Sequence, residues 1–168
     1  FEEQLDRFIE MFELALAEQK MDEVVKRLEK LAEEQEAIVE ELSKDEDMTT
    51  LASRERRQEE SFKTLEQAMK DAANAMEALS PDASQQLSEL AESELTETTA
   101  SDLNEARTEM QNLNSSGASE SGGQASSGLN EMLEIAQEIQ SDFQEDTVDE
   151  MLRKFLALIR NLLYISQE

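Results

Sequence analysis

The sequence predicts an all-α protein: an antiparallel helical bundle, or a set of elongated coiled-coil-like helical hairpins, of about six helices. Three observations carry this. Apolar residues recur at three- and four-residue steps along most of the chain. The 168 residues include one Pro and four Gly, too few for the turns of a β-sheet fold. Glu, Ala, Leu, Ser and Gln dominate, and most of these favour helix.

A first helix over 1–19 follows from Phe1, Leu5, Phe8, Ile9, Phe12 and Leu16, which form one apolar stripe. Met21-Asp22 offers a cap and a break. In the second helix, to residue 42, Val24, Leu28, Leu31, Gln35, Ile38 and Leu42 alternate by four and three. That is a coiled-coil-like seam with one polar layer at Gln35. A polar joint over 43–53 precedes a third helix with Phe62, Leu65, Met69, Ala72, Met76 and Leu79 inward. Ser80-Pro81-Asp82 ends it, because Pro fits only the start of a new helix. A fourth helical region covers 81–113, marked first by Leu87, Leu90, Ala91 and Leu95, then by Leu103, Ala106, Met110 and Leu113. Residues 96–101, Thr-Glu-Thr-Thr-Ala-Ser, are poor helix material and predict a kink or a second cap at Ser101.

Residues 114–128 hold all four glycines among serines and read as a flexible linker. The expected plan is a helical bundle segment over 1–113, the linker over 114–128, and a C-terminal hairpin or long helix over 129–168. The last piece packs on the rest as one structural unit. Within it Met132, Leu133, Ala136, Ile139 and Phe143 face inward. Thr147 to Glu150 matches a capping box for a sixth helix, with fusion into one long helix as the alternative. The chain opens on Phe1 inside a helical pattern and closes on an apolar one, which predicts a segment of a longer protein.

Acidic residues number 41 and basic ones 15, a net charge of −26. A field of that sign repels phosphate and argues against nucleic-acid binding. Between Asp71 and Leu152 the one basic residue is Arg107; others cluster over 20–30 and 54–70. The acidic faces read as a solvated surface or as a docking face for a basic partner. No Cys is present, so disulfides and thiol chemistry are excluded, and no apolar run is long enough to span a bilayer.

Chemistry finds little support. Without His the commonest general base and metal ligand is missing. Paired carboxylates such as Glu33-Glu34 and Glu59-Glu60 read as hydrated helix faces. Asp45, Asp47 and Thr49 begin like a calcium loop, but Thr50 and Arg56 stand where Gly and Glu are needed. Gly122-Gly123-Gln124 resembles the peptide-release tripeptide of translation factors, on a chain whose charge repels ribosomal RNA. No catalytic, cofactor-binding or metal-ligating residue is assigned, and no cofactor is expected.

The terminal helix supplies the candidate interaction face: Met151, Leu152, Phe155, Leu158, Ile159, Leu162 and Leu163. Helix–helix packing is the main reading, with a membrane surface or a partner groove as alternatives. Asn161 and Tyr164 are its polar groups most in need of partners.

Three stretches, 19–36, 129–140 and 152–168, resemble large membrane-anchored, helix-rich bacterial proteins of unknown function, of the Bacteroidetes type. Leu152, Arg153, Leu156, Asn161, Leu162, Leu163, Ser166, Gln167 and Glu168 match that family's recurring helix, with Ile165 where Leu is usual. Relatives are often Gln-rich where this chain is rich in Glu and Ser. The resemblance implies transmembrane helices elsewhere and a place in the cell envelope, outside the inner membrane; a cytoplasmic place is the alternative. It implies no catalytic residues.

The functional expectation is a non-enzymatic helical scaffold or protein-interaction segment. Its partners are proteins or a second copy, met through apolar helix faces, with no direct membrane insertion. A chaperone-like client-binding module is the alternative. Met11, Met69, Met76, Met110, Met132 and Met151 would give it an adaptable surface.

Overall fold

In the computed structural model the described backbone covers residues 2–44 and 47–165, and the described side chains are those of 5, 6, 8–44, 47–149 and 153. Among them the chain is all-α, without a strand. It forms α1 (Glu2–Leu42), α2 (Met48–Met76), α3 (Pro81–Ala91), α4 (Glu94–Gln111) and α5 (Ser115–Ile165). α1 packs on α2 and α5, and both α3 and α4 pack on α2 and α5. Four sides result, with α3 and α4 sharing one, in the up-down-up-down order that short connections impose.

The six expected helices become five because the seams run through two expected breaks and the expected fourth region, 81–113, divides into α3 and α4. In α1 the buried series is Ala17, Met21, Val24, Leu28, Leu31, Gln35, Ile38 and Leu42, so Met21 is a seam residue at 1% exposure and no break occurs beside it. In α5 the series is Ala118, Gly122, Ala125, Leu129, Met132, Ala136, Ile139 and Phe143, all buried. The segment expected to be a flexible linker is therefore the first part of α5. Its small residues are seam residues that let α5 approach its neighbours closely. Thr147, the expected cap, lies inside the helix and donates to the Phe143 carbonyl at 2.9 Å.

The caps lie where side chains satisfy free N–H groups. Asp47 accepts from the Thr49 and Thr50 amides, so this residue of the calcium-loop pattern is a helix cap. Ser80 caps α3 with Pro81 in its first turn, and its hydroxyl donates to Asp146 on α5 at 2.6 Å. Ser93 caps α4. The kink expected within 96–101 is thus displaced to Glu92-Ser93. Thr96 and Thr99 remain helical and buried, because Thr96 donates to the Leu90 carbonyl and Thr99 to that of Leu95, each at 2.7 Å.

α4 ends in a Schellman turn: the Leu113 amide donates to the Met110 carbonyl and the Asn114 amide to that of Glu109. The turn puts Leu113 at φ 58 and leaves it 71% exposed. The expected inward position of Leu113 is thereby corrected, since the left-handed turn swings it off the seam.

Candidate interaction surfaces

α2 continues the seam pattern backward from Phe62 through Gln58, Glu55 and Leu51, all buried. Gln35 on α1 donates to Glu55 Oε1 at 3.0 Å. Gln58 donates to Gln35 Oε1 at 3.3 Å and to the Leu31 carbonyl at 2.8 Å. Facing this layer, α4 and α5 supply only small residues. A Cβ added at Gly122 would lie 3.5 Å from Gln35 Nε2 and 4.0 Å from the Ala106 Cβ. Among the described residues Glu55 Oε2 has no hydrogen-bond partner, and burial pushes this carboxyl up to about 8. At neutral pH it is mostly protonated, which removes the cost of an uncompensated buried charge. The polar layer foreseen at Gln35 thus has two α2 partners. A slip of α1 against α2 would leave these groups among apolar side chains, so the layer fixes register.

Polar side chains outside the core also tie helices together. Arg54 pairs with Glu34 at 2.8 Å and with Glu41, joining α2 to α1. Arg107, the basic residue of the acidic half, pairs with Glu59 and joins α4 to α2.

The largest departure from a closed core is at the start of α1. Leu5, Phe8, Ile9, Met11, Phe12 and Leu16 are 39–69% exposed. The apolar stripe of Leu5 to Leu16 does not join the seam, and helix geometry shows why. Counting threes and fours back from Ala17 gives Leu14, Glu10 and Arg7, and Leu14 does pack against the core. Phe12 stands about 200° around the axis from Leu14, at about 100° per residue. The stripe has changed face. A change of stripe phase near Leu14 was the signal in the sequence.

The face of Met151, Leu152, Phe155, Leu158, Ile159, Leu162 and Leu163 lies outside the described side chains, though α5 is helical through Ile165. Of the six methionines that would form an adaptable surface, Met69, Met76, Met110 and Met132 are buried and Met11 is exposed; Met151 lies outside the described side chains. Among the described residues no group of three or more carboxylates is placed to hold a metal ion, and no helix is long and apolar enough to cross a membrane.

Comparison with family models, curated proteins and solved structures gives no match for this chain.

Proposed function

We propose that this chain is a non-enzymatic helical scaffold, a protein-interaction segment of a larger envelope-associated bacterial protein. Its contact surface in this reading is the exposed stripe of α1. The observation that carries the reading is the change of face. Leu5, Phe8, Ile9 and Phe12 are apolar at nearly every third or fourth position, yet they point away from the seam that α1 shares with α2 and α5. Leaving several large apolar side chains in water on one short helix face is costly, at about 25 cal/mol per Å². A protein covering them recovers that energy.

The envelope placement rests on the resemblance of residues 152–168 to membrane-anchored relatives, and a cytoplasmic place is the other reading. In the envelope reading the membrane anchor belongs to sequence other than 1–168. The acidic faces keep the bundle from self-aggregating and are open to a basic partner.

The test is site-specific photo-crosslinking in cells that make the protein. A benzophenone amino acid replaces Phe12 in one variant and the exposed Lys63 on α2 in another. A discrete protein adduct from position 12 and none from position 63 is the expected result. Equal smears from both positions, or no adduct at 12, would sink the proposal.

A further inference from the structure

The walls of the groove between α1 and α2 carry an unexpected charge for so acidic a chain. Arg27 and Lys30 approach from α1, and Arg54 and Arg57 from α2. The groove encloses about 820 Å³. Its floor is Leu31 and Gln58, both buried and neither charged. The Gln58 amide nitrogen is already committed to the Leu31 carbonyl and Gln35.

The cations are held in two different ways. Arg54 is fixed by Glu34 at 2.8 Å and by Glu41, contacts that engage its Nε and Nη1 and leave Nη2. Arg27 is fixed by Glu23 at 2.6 Å and donates to the Thr64 hydroxyl at 3.2 Å. These partners orient the guanidinium groups, and of the three carboxylates Glu34 itself lines the groove. Lys30 and Arg57 are exposed and have no ion pair among the described residues. Glu33 and Glu34 also line the groove, and with Arg27 and Arg54 already paired the cations left to a ligand are Lys30 and Arg57, one from each helix. A single small anion would span only part of this arrangement. Bridging cations from both helices takes a ligand with more than one anionic group.

We propose that this groove is a binding site for a compact, multiply charged anion of the phosphoryl class, such as a di- or triphosphate group. Arg57 offers a planar fork of N–H donors that matches phosphoryl oxygens two at a time. Lys30 supplies a mobile point charge from the opposite wall, Arg27 adds charge beside it, and the Ser61 hydroxyl lies at the same wall as Arg57. The overall charge of −26 does not prevent this, because salt screens distant carboxylates over about 8 Å at physiological ionic strength. The site lies on the closed body of the bundle and is independent of the α1 stripe.

The probe is inorganic pyrophosphate, titrated calorimetrically into the whole chain at low and at physiological ionic strength. Two variants carry the same change in charge. K30Q/R57Q removes the unpaired cations of the groove, and K63Q/K70Q removes two exposed cations of α2 outside it. Saturable binding that weakens at least about tenfold in K30Q/R57Q and less than about twofold in K63Q/K70Q is expected. The melting temperature of each variant serves as the check on folding. Absence of saturable binding at millimolar pyrophosphate would overturn the proposal. So would an equal loss in both variants, which would mark diffuse attraction to the basic side of α2.

Discussion

Glu55 and Phe62 occupy the same seam position of α2, seven residues apart, and both are sealed from solvent. Around Phe62 the neighbouring helices offer Leu28 and Leu129, also seam residues, with Thr99 on α4. One heptad along, the corresponding residues are Gln35, Gly122 and Ala106. One layer fills its space with large apolar groups. The other fills it with long polar side chains from two helices and almost nothing from the other two. The bundle thus keeps its course while exchanging the kind of interaction it uses. The apolar layer stabilises without choosing a register, since any Leu or Phe of the seam would serve. The polar layer chooses a register and stabilises less, because Glu55 Oε2 is left unpaired.

The largest effect expected from that contrast is at Phe62. Phe62→Ala empties a fully buried site among side chains that cannot collapse into it from four sides. A loss of about 4 kcal/mol is expected, read from urea unfolding followed by circular dichroism. A loss near 1 kcal/mol would mean that the apolar layer is loosely packed, and the contrast would fail at its stronger end.

The next effect is on the polar layer and has the opposite sign. Burial is the main cause that raises the Glu55 carboxyl; the Gln35 hydrogen bond lowers it, Glu59 and Glu34 raise it, and Arg54 lowers it. The folded-state value, about 8, lies above the ordinary 4.5. The stability this group contributes is therefore fully present below the unfolded value and is lost as pH rises through the folded one. With no His and no Cys in the chain, few other side chains titrate between pH 6 and 8. Melting temperature should fall across that window in the wild type and stay nearly flat in Glu55→Gln. At pH 8 the variant should be more stable by up to about 4 kcal/mol, since the shift from 4.5 to about 8 is worth about 1.4 kcal/mol per unit. Parallel pH curves for the two proteins would show that Glu55 ionises freely in the folded state.

Much of this was legible in the sequence. The seams of α1 and of α2 from Phe62 onward are plain in the three-four spacing, as are the Pro81 helix start and the polar layer at Gln35. What was not legible has a common cause: the eye follows large residues. Ala118, Gly122 and Ala125 keep the same spacing as Leu129, Met132 and Ala136, but their composition reads as a linker because small polar-tract residues are also what flexible chains contain. Only the presence of close-packing neighbours decides between the two, and neighbours are a tertiary fact. The reverse holds over 5–16, where large residues at helical spacing make an apolar stripe whose spacing alone does not say what it faces. Their phase relative to Leu14 assigns them to the far side of α1. Glu55 and Gln58 carry no such signal, because a seam is expected to be apolar and the apolar spacing of α2 is plain only from Phe62 onward.

The smallest effect sharpens the same contrast inside α5, where two glycines five residues apart should respond in opposite directions. Gly123 has open space where a Cβ would stand, with nothing within 4 Å. Gly123→Ala therefore adds helix propensity alone and should stabilise by about 0.5–1 kcal/mol. At Gly128 an added Cβ would lie 2.2 Å from Thr99 Oγ1 and 3.2 Å from its Cβ. Thr99 is a short β-branched side chain held by its hydrogen bond to the Leu95 carbonyl. Relieving the clash means rotating that hydroxyl away and separating α4 from α5, which outweighs the same gain in propensity. Gly128→Ala should cost about 1 kcal/mol net. Thermal unfolding of the two single variants beside the wild type reads the difference directly. If both substitutions stabilise, the approach of α5 to α4 is looser than these distances require, and the small residues of 115–128 are there for some reason other than close packing.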